Sequence, residues 1–166
     1  MKILLVSSKY QPEYSGSGLR AHNTYKRLKK NYDISFDILS NSNQYTGNKK
    51  YKYDDVEIIR ISSPFKIPSK RSIWRLMIIF FGLIWEIFYT WKFIRKRIDY
   101  YNLLHTFGNS WSVGFLTWYF SKKNKPIIRE LCNDIDNPLY PIQFYKFMKV
   151  VFKKNNTLII AISKKL

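Results

Sequence analysis

Residues 15–20 read Ser-Gly-Ser-Gly-Leu-Arg, a combination that can hold an anion. Small residues let backbone N–H groups approach a phosphate, and a helix starting there adds the partial positive charge of its N-terminus. A Cβ at such a position would block close approach or forbid a positive φ. Gly16, Ser17 and Gly18 are therefore candidates for a phosphate-facing loop, and Arg20 in the first helical turn can grip phosphate bidentately. The alternative is a tight turn that simply opens an α/β domain. His105 is a second candidate. The run Tyr101 to His105 reads as a strand whose carboxyl end points the imidazole at a cleft, where it can bond a hydroxyl or, protonated, a phosphate. The alternative is a histidine satisfied by nearby backbone. Two histidines and one cysteine leave little material for a structural zinc site. Cys132 has no histidine near it in sequence and reads as a small buried residue.

Strands and helices must alternate to position these groups. Residues 2–6 read as a buried strand and 18–30 as a helix with a basic face. Residues 33–39 alternate polar and apolar, as a second strand does. The lysine-rich stretch 41–53 reads as a loop or hairpin tip. Further strands are expected at 56–61, 101–105, 126–131 and 157–162, with helices at 71–97, 112–120 and 144–152 and a turn at 137–141. This order predicts an α/β domain over 1–166: a doubly wound, mostly parallel, Rossmann-like sheet with helices on both faces. Ligands of such sheets bind beyond the carboxyl ends of the strands. The site loops are thus expected after Val6, Leu39, Ile61, His105, Leu131 and Ile162.

The chain has 166 residues, 46% of them apolar, enough for one domain with a real core. Its 29 Lys and Arg against 11 acids give a net charge of +18, which implies an anionic partner: nucleic acid, acidic lipid or a phosphorylated substrate. A single cysteine excludes an intramolecular disulfide and suits a reducing compartment. Met1 to Val6 is too short for a secretory h-region.

The strongest hydrophobic signal lies in the predicted 71–97 helix. From Leu76 to Trp91 every residue except Glu86 and Thr90 is apolar, aromatic or glycine. Gly82, Glu86 and Thr90 recur at spacing four and share one narrow face. Trp74, Phe81, Trp85 and Trp91, with Arg75, Lys92, Arg95, Lys96 and Arg97 at the ends, suit a helix lying in a membrane interface on anionic lipid. Two other readings stay open: a core helix covered by another domain, and a single span.

Several of these segments resemble one family. Lys2-Ile3-Leu4-Leu5-Val6, then Pro12, then Gly16-Ser17-Gly18 is similar to the opening of the retaining family 4 glycosyltransferases of GT-B fold, with Ser17 inside the usual Gly-Gly turn. Tyr100 to Gly108 resembles the family's strand ending in histidine, with Asn102 where an Asp is common. Lys125 to Asp134 resembles the segment leading to acceptor-site residues, although Cys132-Asn133-Asp134 stands where many members carry His-Asp. Thr157 to Ser163 resembles the last strand of the N-terminal domain, with Ser163 as the N-cap of the helix that follows.

The resemblance implies one half of a GT-B fold, the N-terminal, acceptor-binding domain of a hexosyltransferase-type enzyme. Gly16, Ser17, Gly18 and Arg20 would face the donor diphosphate, and His105, Glu130 and Asp134 the acceptor. For the two acids the alternative is a surface ion pair with Arg129 or a lysine. It implies a nucleotide-sugar substrate, a glycan or lipid-linked acceptor of the cell envelope, and no cofactor or metal. It also implies a cytoplasmic protein, peripheral at the inner face of the plasma membrane. The donor domain is expected outside this sequence, in a C-terminal domain or a second chain, so little transfer is expected from these residues alone. The rival reading is a non-catalytic basic module for membrane or nucleic acid. No nucleic-acid motif is present, so nucleic acid is not the expected partner. A dinucleotide-binding protein is disfavoured because His22 and Asn23 surround the third position, Ala21, and the loop before them is too long.

Overall fold

The computed structural model describes residues 1–42, 44–70, 72–108, 110–131 and 157–161. Its strands are β1 (Lys2–Ser7), β2 (Ser35–Ser40), β3 (Lys49–Tyr53), β4 (Val56–Arg60), β5 (Leu103–Phe107), β6 (Ile127–Leu131) and β7 (Thr157–Ala161). Its helices are α1 (Gly16–Asn31), α2 (Ile73–Ile94) and α3 (Trp111–Lys122). The strands form one sheet in the order β3-β4-β2-β1-β5-β6-β7, parallel throughout except for β3, which runs antiparallel to β4. The expected α/β, Rossmann-like sheet is therefore present.

Alternation along the strands builds two cores. Ile3 and Leu5 face α1, where they pack with Ala21, Tyr25, Ile38, Ile58 and Phe107. Leu4 and Val6 face the other side and pack with Ile94, Leu104, Val113, Leu116 and Phe120 from β5, α2 and α3. Continuous apolar strands such as Ile3-Leu4-Leu5-Val6 are what a sheet covered on both faces requires.

Two expectations need correction. The lysine-rich 41–53 stretch contains the edge strand β3, which turns back into β4 through Asp54 and Asp55, both at positive φ. Strand β5 runs to Phe107, so His105 lies in mid-strand and the loop begins at Gly108. Other boundaries agree within about three residues, the largest gap being the end of α2 at Ile94. The 137–141 turn, the 144–152 helix, Cys132, Asn133, Asp134 and Ser163 lie outside the described residues.

Helix α2 is much longer than the strands it crosses. Its 22 residues extend roughly 33 Å, against about 17 Å for a five-residue strand. The C-terminal part settles on the sheet, with Thr90 and Ile94 buried. The N-terminal part must overshoot the sheet's carboxyl edge.

Candidate functional site

Strand order reverses between β1 and β5: the chain first builds outward from β1 to β2 and β4, then returns to β5 on the other side. The crevice outside the carboxyl ends of such a pair is where open α/β sheets bind ligands. Three backbone segments converge there. Ser8 continues the β1–β5 ladder by donating its N–H to the Phe107 carbonyl at 3.2 Å. Gly108 follows at φ +80°, and a Cβ there would stand 2.6 Å from Ser8 Oγ and 3.6 Å from Ser17 Oγ. Helix α1 starts at the same place, capped by Ser15, whose Oγ accepts from Gly18 N–H at 2.9 Å.

The glycines of this turn have different reasons to be glycine. A Cβ on Gly18 would lie 2.6 Å from the Lys9 carbonyl oxygen, so Gly18 lets α1 pack on the loop after β1. A Cβ on Gly16 would meet nothing within 4 Å. Gly16 and Ser17 thus stand at the open start of a helix whose first N–H groups have no partner within the helix itself. Ser8 and Gly108 complete the crevice. Sequence reasoning did not single them out, although a glycine directly after a strand was the available signal.

Arg20, His105 and Glu130 come together on the α1 side of the sheet. Arg20 Nε pairs with Glu130 Oε2 at 2.7 Å, so this guanidinium joins α1 to the end of β6. His105 is 6% exposed and lies under α1, stacked on Phe107 with ring centroids 4.2 Å apart. Tyr25 Oη lies 2.7 Å from its Nδ1. Burial raises the Tyr25 pKa, so its hydroxyl meets the imidazole as a neutral phenol. The other ring nitrogen, Nε2, lies 3.6 Å from Glu130 Oε1. Burial, then Arg20, push the His105 pKa down to about 4, keeping the ring neutral at pH 7. Burial raises Glu130, and Arg20 offsets part of that. The sequence expectation of a cleft-facing imidazole is corrected in placement: the ring is buried under α1, beside the Arg20–Glu130 pair. Asp134 lies outside the described residues.

A matching chain lies one helical turn earlier. Tyr10 Oη is 2.6 Å from His22 Nδ1, and His22 Nε2 is 3.1 Å from Asp54 Oδ2. Lys26 also bonds Asp54. This arrangement ties α1 to the β3–β4 turn.

The opposite side of the sheet carries a second opening. Asn41 Nδ2 donates to the Ile61 carbonyl at 2.9 Å and to Ser112 Oγ at 3.1 Å, and Ser112 Oγ lies 3.0 Å from Thr90 Oγ1. This buried network fixes α2 and α3 against the ends of β2 and β4. Beyond it, the overshooting part of α2 and the loops after β2 and β4 enclose a cleft of roughly 660 Å³. Gly82 approaches Ser63 and Glu86 points into the cleft, so the narrow Gly82–Glu86–Thr90 face is the face turned to the protein.

The other face of α2 is uncovered. Ile73, Trp74, Leu76, Met77, Phe80, Phe81, Ile84, Phe88 and Trp91 are each more than a third exposed, and no charged residue interrupts them. Only 6% of the helix's most apolar 18-residue window is buried, and by length and composition alone it could cross a membrane. Of the docking candidates, Trp74, Phe81 and Trp91 lie on this face, while Lys92, Arg95 and Lys96 are exposed near its end. Arg95 stacks on Trp91 at 4.5 Å and Arg97 on Phe93 at 4.7 Å. Arg75 bonds the Ser69 carbonyl at 3.0 Å. Trp85 turns back toward the protein: its Nε1 donates to Asn48 Oδ1 at 3.3 Å and its ring lies 4.3 Å from that of Tyr89. Its place in the outward set is therefore corrected.

No protein-family model and no curated protein matches this sequence. Among solved structures, the chain is similar to UDP-GlcNAc 2-epimerase from Methanocaldococcus jannaschii, with TM-score 0.57 and 11% identity, covering 99% of this chain and 40% of that one. It is also similar to MurG from Acinetobacter baumannii, with TM-score 0.56 and 10% identity, covering 99% and 42% respectively. The chain thus spans about two fifths of the length of either. At these identities the likeness establishes the fold: an α/β, Rossmann-like domain of the kind that forms one half of GT-B proteins.

Proposed function

We propose that this chain is the acceptor-side domain of a sugar-transferring enzyme of GT-B type, working at the surface of an anionic membrane. One observation carries this reading: α2 walls a cleft at the sheet's carboxyl edge with one face and leaves an unbroken apolar face uncovered on the other. A helix covered by protein on one side is ill suited to spanning a bilayer, but it fits an interface, where aromatics sit at the acyl boundary and Lys92, Arg95 and Lys96 meet lipid phosphates. The net charge of +18 supports an anionic surface.

In this scheme the crevice between β1 and β5 receives the phosphates of a nucleotide-sugar. Gly16 and Ser17 offer backbone N–H groups, and Ser8 and Gly108 border them at the ends of β1 and β5. Arg20 is held in place by Glu130, and Glu130 by Arg20 in front of the neutral His105. The donor's remaining contacts come from a second domain or chain. Transfer with retention, a cell-envelope or lipid-linked acceptor, and a place at the cytoplasmic face of the plasma membrane belong to the same proposal, as does the absence of a metal or cofactor.

The test is flotation of the full chain with phosphatidylglycerol vesicles, phosphatidylcholine vesicles and single-stranded DNA at about 0.1 M salt, where long-range charge effects are largely screened. Binding to the anionic vesicles supports the proposal. Binding to DNA with none to vesicles overturns it in favour of a nucleic-acid module.

A further inference from the structure

Glu86 is the group that the proposed function leaves unused. It lies on the protein-facing side of α2, in the cleft formed with the loops after β2 and β4. No described residue forms an ion pair or hydrogen bond with it. Glu86 is half-buried in this cleft, and a carboxyl that is partly withdrawn from water without a polar partner carries a cost.

The surroundings indicate what would satisfy it. Tyr45, Phe65 and Trp111 bring aromatic surfaces to the cleft, and Ile78 and Leu83 add aliphatic ones. Tyr45 is backed by the Arg60 guanidinium, 4.5 Å from its ring centroid. The titratable groups lining the cleft are Glu86, Tyr45 and Lys66, and Lys66 is exposed. Among the described residues that line the cleft there is no buried cation for a strongly anionic ligand. Mostly apolar and aromatic walls with a few polar groups form the usual design of a small-molecule site, and a carboxyl among rings suits a hydroxyl-rich, uncharged ring.

The position of the cleft adds the second half of the argument. Its wall is the same helix whose opposite face is apolar and uncovered. A molecule anchored in a bilayer beneath that face would have its headgroup beside the cleft.

We propose that this cleft receives the uncharged sugar headgroup of a glycolipid, with Glu86 bonded to a sugar hydroxyl and Trp111 against the ring. The inference rests on the reading that α2 docks on a bilayer, and it names the acceptor's class. Burial pushes Glu86 up to about 7, so near neutral pH its protonated form can donate to a hydroxyl as well as accept from it.

The experiment titrates the full chain with monomeric octyl β-glucoside, below its micelle concentration, and with octyl phosphate, by calorimetry. Saturable binding of the glucoside is expected, with octyl phosphate weaker. Glu86→Leu and Trp111→Ala should each weaken glucoside binding about tenfold or more, and Glu86→Gln much less, because an amide still donates and accepts. Trp111 is 44% exposed, so its replacement tests the site without opening the core. Equal or tighter binding of octyl phosphate, undiminished binding by both Glu86→Leu and Trp111→Ala, or no saturable glucoside binding would each overturn the inference. Vesicle flotation of the same samples keeps the two ideas apart: docking without glucoside binding removes this inference alone, and loss of docking removes the reading beneath it.

Discussion

Tyr25 Oη lies 2.7 Å from His105 Nδ1, although the two residues are 80 positions apart. This bond explains how a histidine can occupy the middle of a buried strand, and it fixes which ring nitrogen faces Glu130. Removing the hydroxyl leaves Nδ1 buried without a partner. Tyr25→Phe should therefore cost about 1–3 kcal/mol of unfolding free energy, read from urea denaturation at pH 7.

The same ring sets an acid-side limit on stability. An unfolded His105 takes a proton below its ordinary value of 6.5, whereas the folded ring resists protonation down to about 4. The unfolded state binds more protons in that window, so the contribution of His105 is full above 6.5 and is lost as pH falls toward 4. His105→Leu should flatten this part of the stability–pH curve. Parallel urea titrations at pH 7 and pH 5 measure it.

Glu86 has the opposite sign. Its folded value is raised from 4.5 to about 7 by burial. The folded state therefore holds a proton that the unfolded state has released, and stability is lost as pH rises from about 4.5 through 7. Glu86→Gln should gain melting temperature at pH 8 relative to wild type and gain little at pH 4. A gain of equal size at both pH values would contradict the burial of this carboxyl.

The two glycines of the α1 turn should respond differently. Gly18→Ala forces a Cβ to within 2.6 Å of the Lys9 carbonyl oxygen, and overpacking of this kind typically costs about 1–3 kcal/mol. Gly16→Ala meets open space and should change stability by less than about 0.5 kcal/mol. Thermal melts of both variants make the comparison.

The sheet was legible because its strands announce themselves. Ile3-Leu4-Leu5-Val6 and Val56-Glu57-Ile58-Ile59 are β-rich and apolar, and the intervening helices carry their own period. The end of β5 was not legible. His105 and Thr106 read as a strand terminus because polar residues usually leave the core, and the partner that satisfies the buried His105, Tyr25, is distant in sequence. Strand β3 was hidden for a related reason: an edge strand can carry Lys49, Lys50 and Lys52 because one of its sides stays in water. For the candidate site, Gly16, Ser17, Gly18, Arg20, His105 and Glu130 were visible as residue types. That Arg20 pairs with Glu130, and that Trp85 turns inward to Asn48, depends on packing between segments far apart in sequence.

The central claim is that the uncovered face of α2 meets a bilayer. The direct measurement is flotation with phosphatidylglycerol vesicles of wild type and of the double variant Phe80→Asp, Phe88→Asp, whose rings are 57% and 49% exposed. Carboxylates on that face should abolish flotation while leaving the melting temperature within a few degrees of wild type, because neither ring is part of the core. Undiminished flotation of the folded double variant would contradict the account.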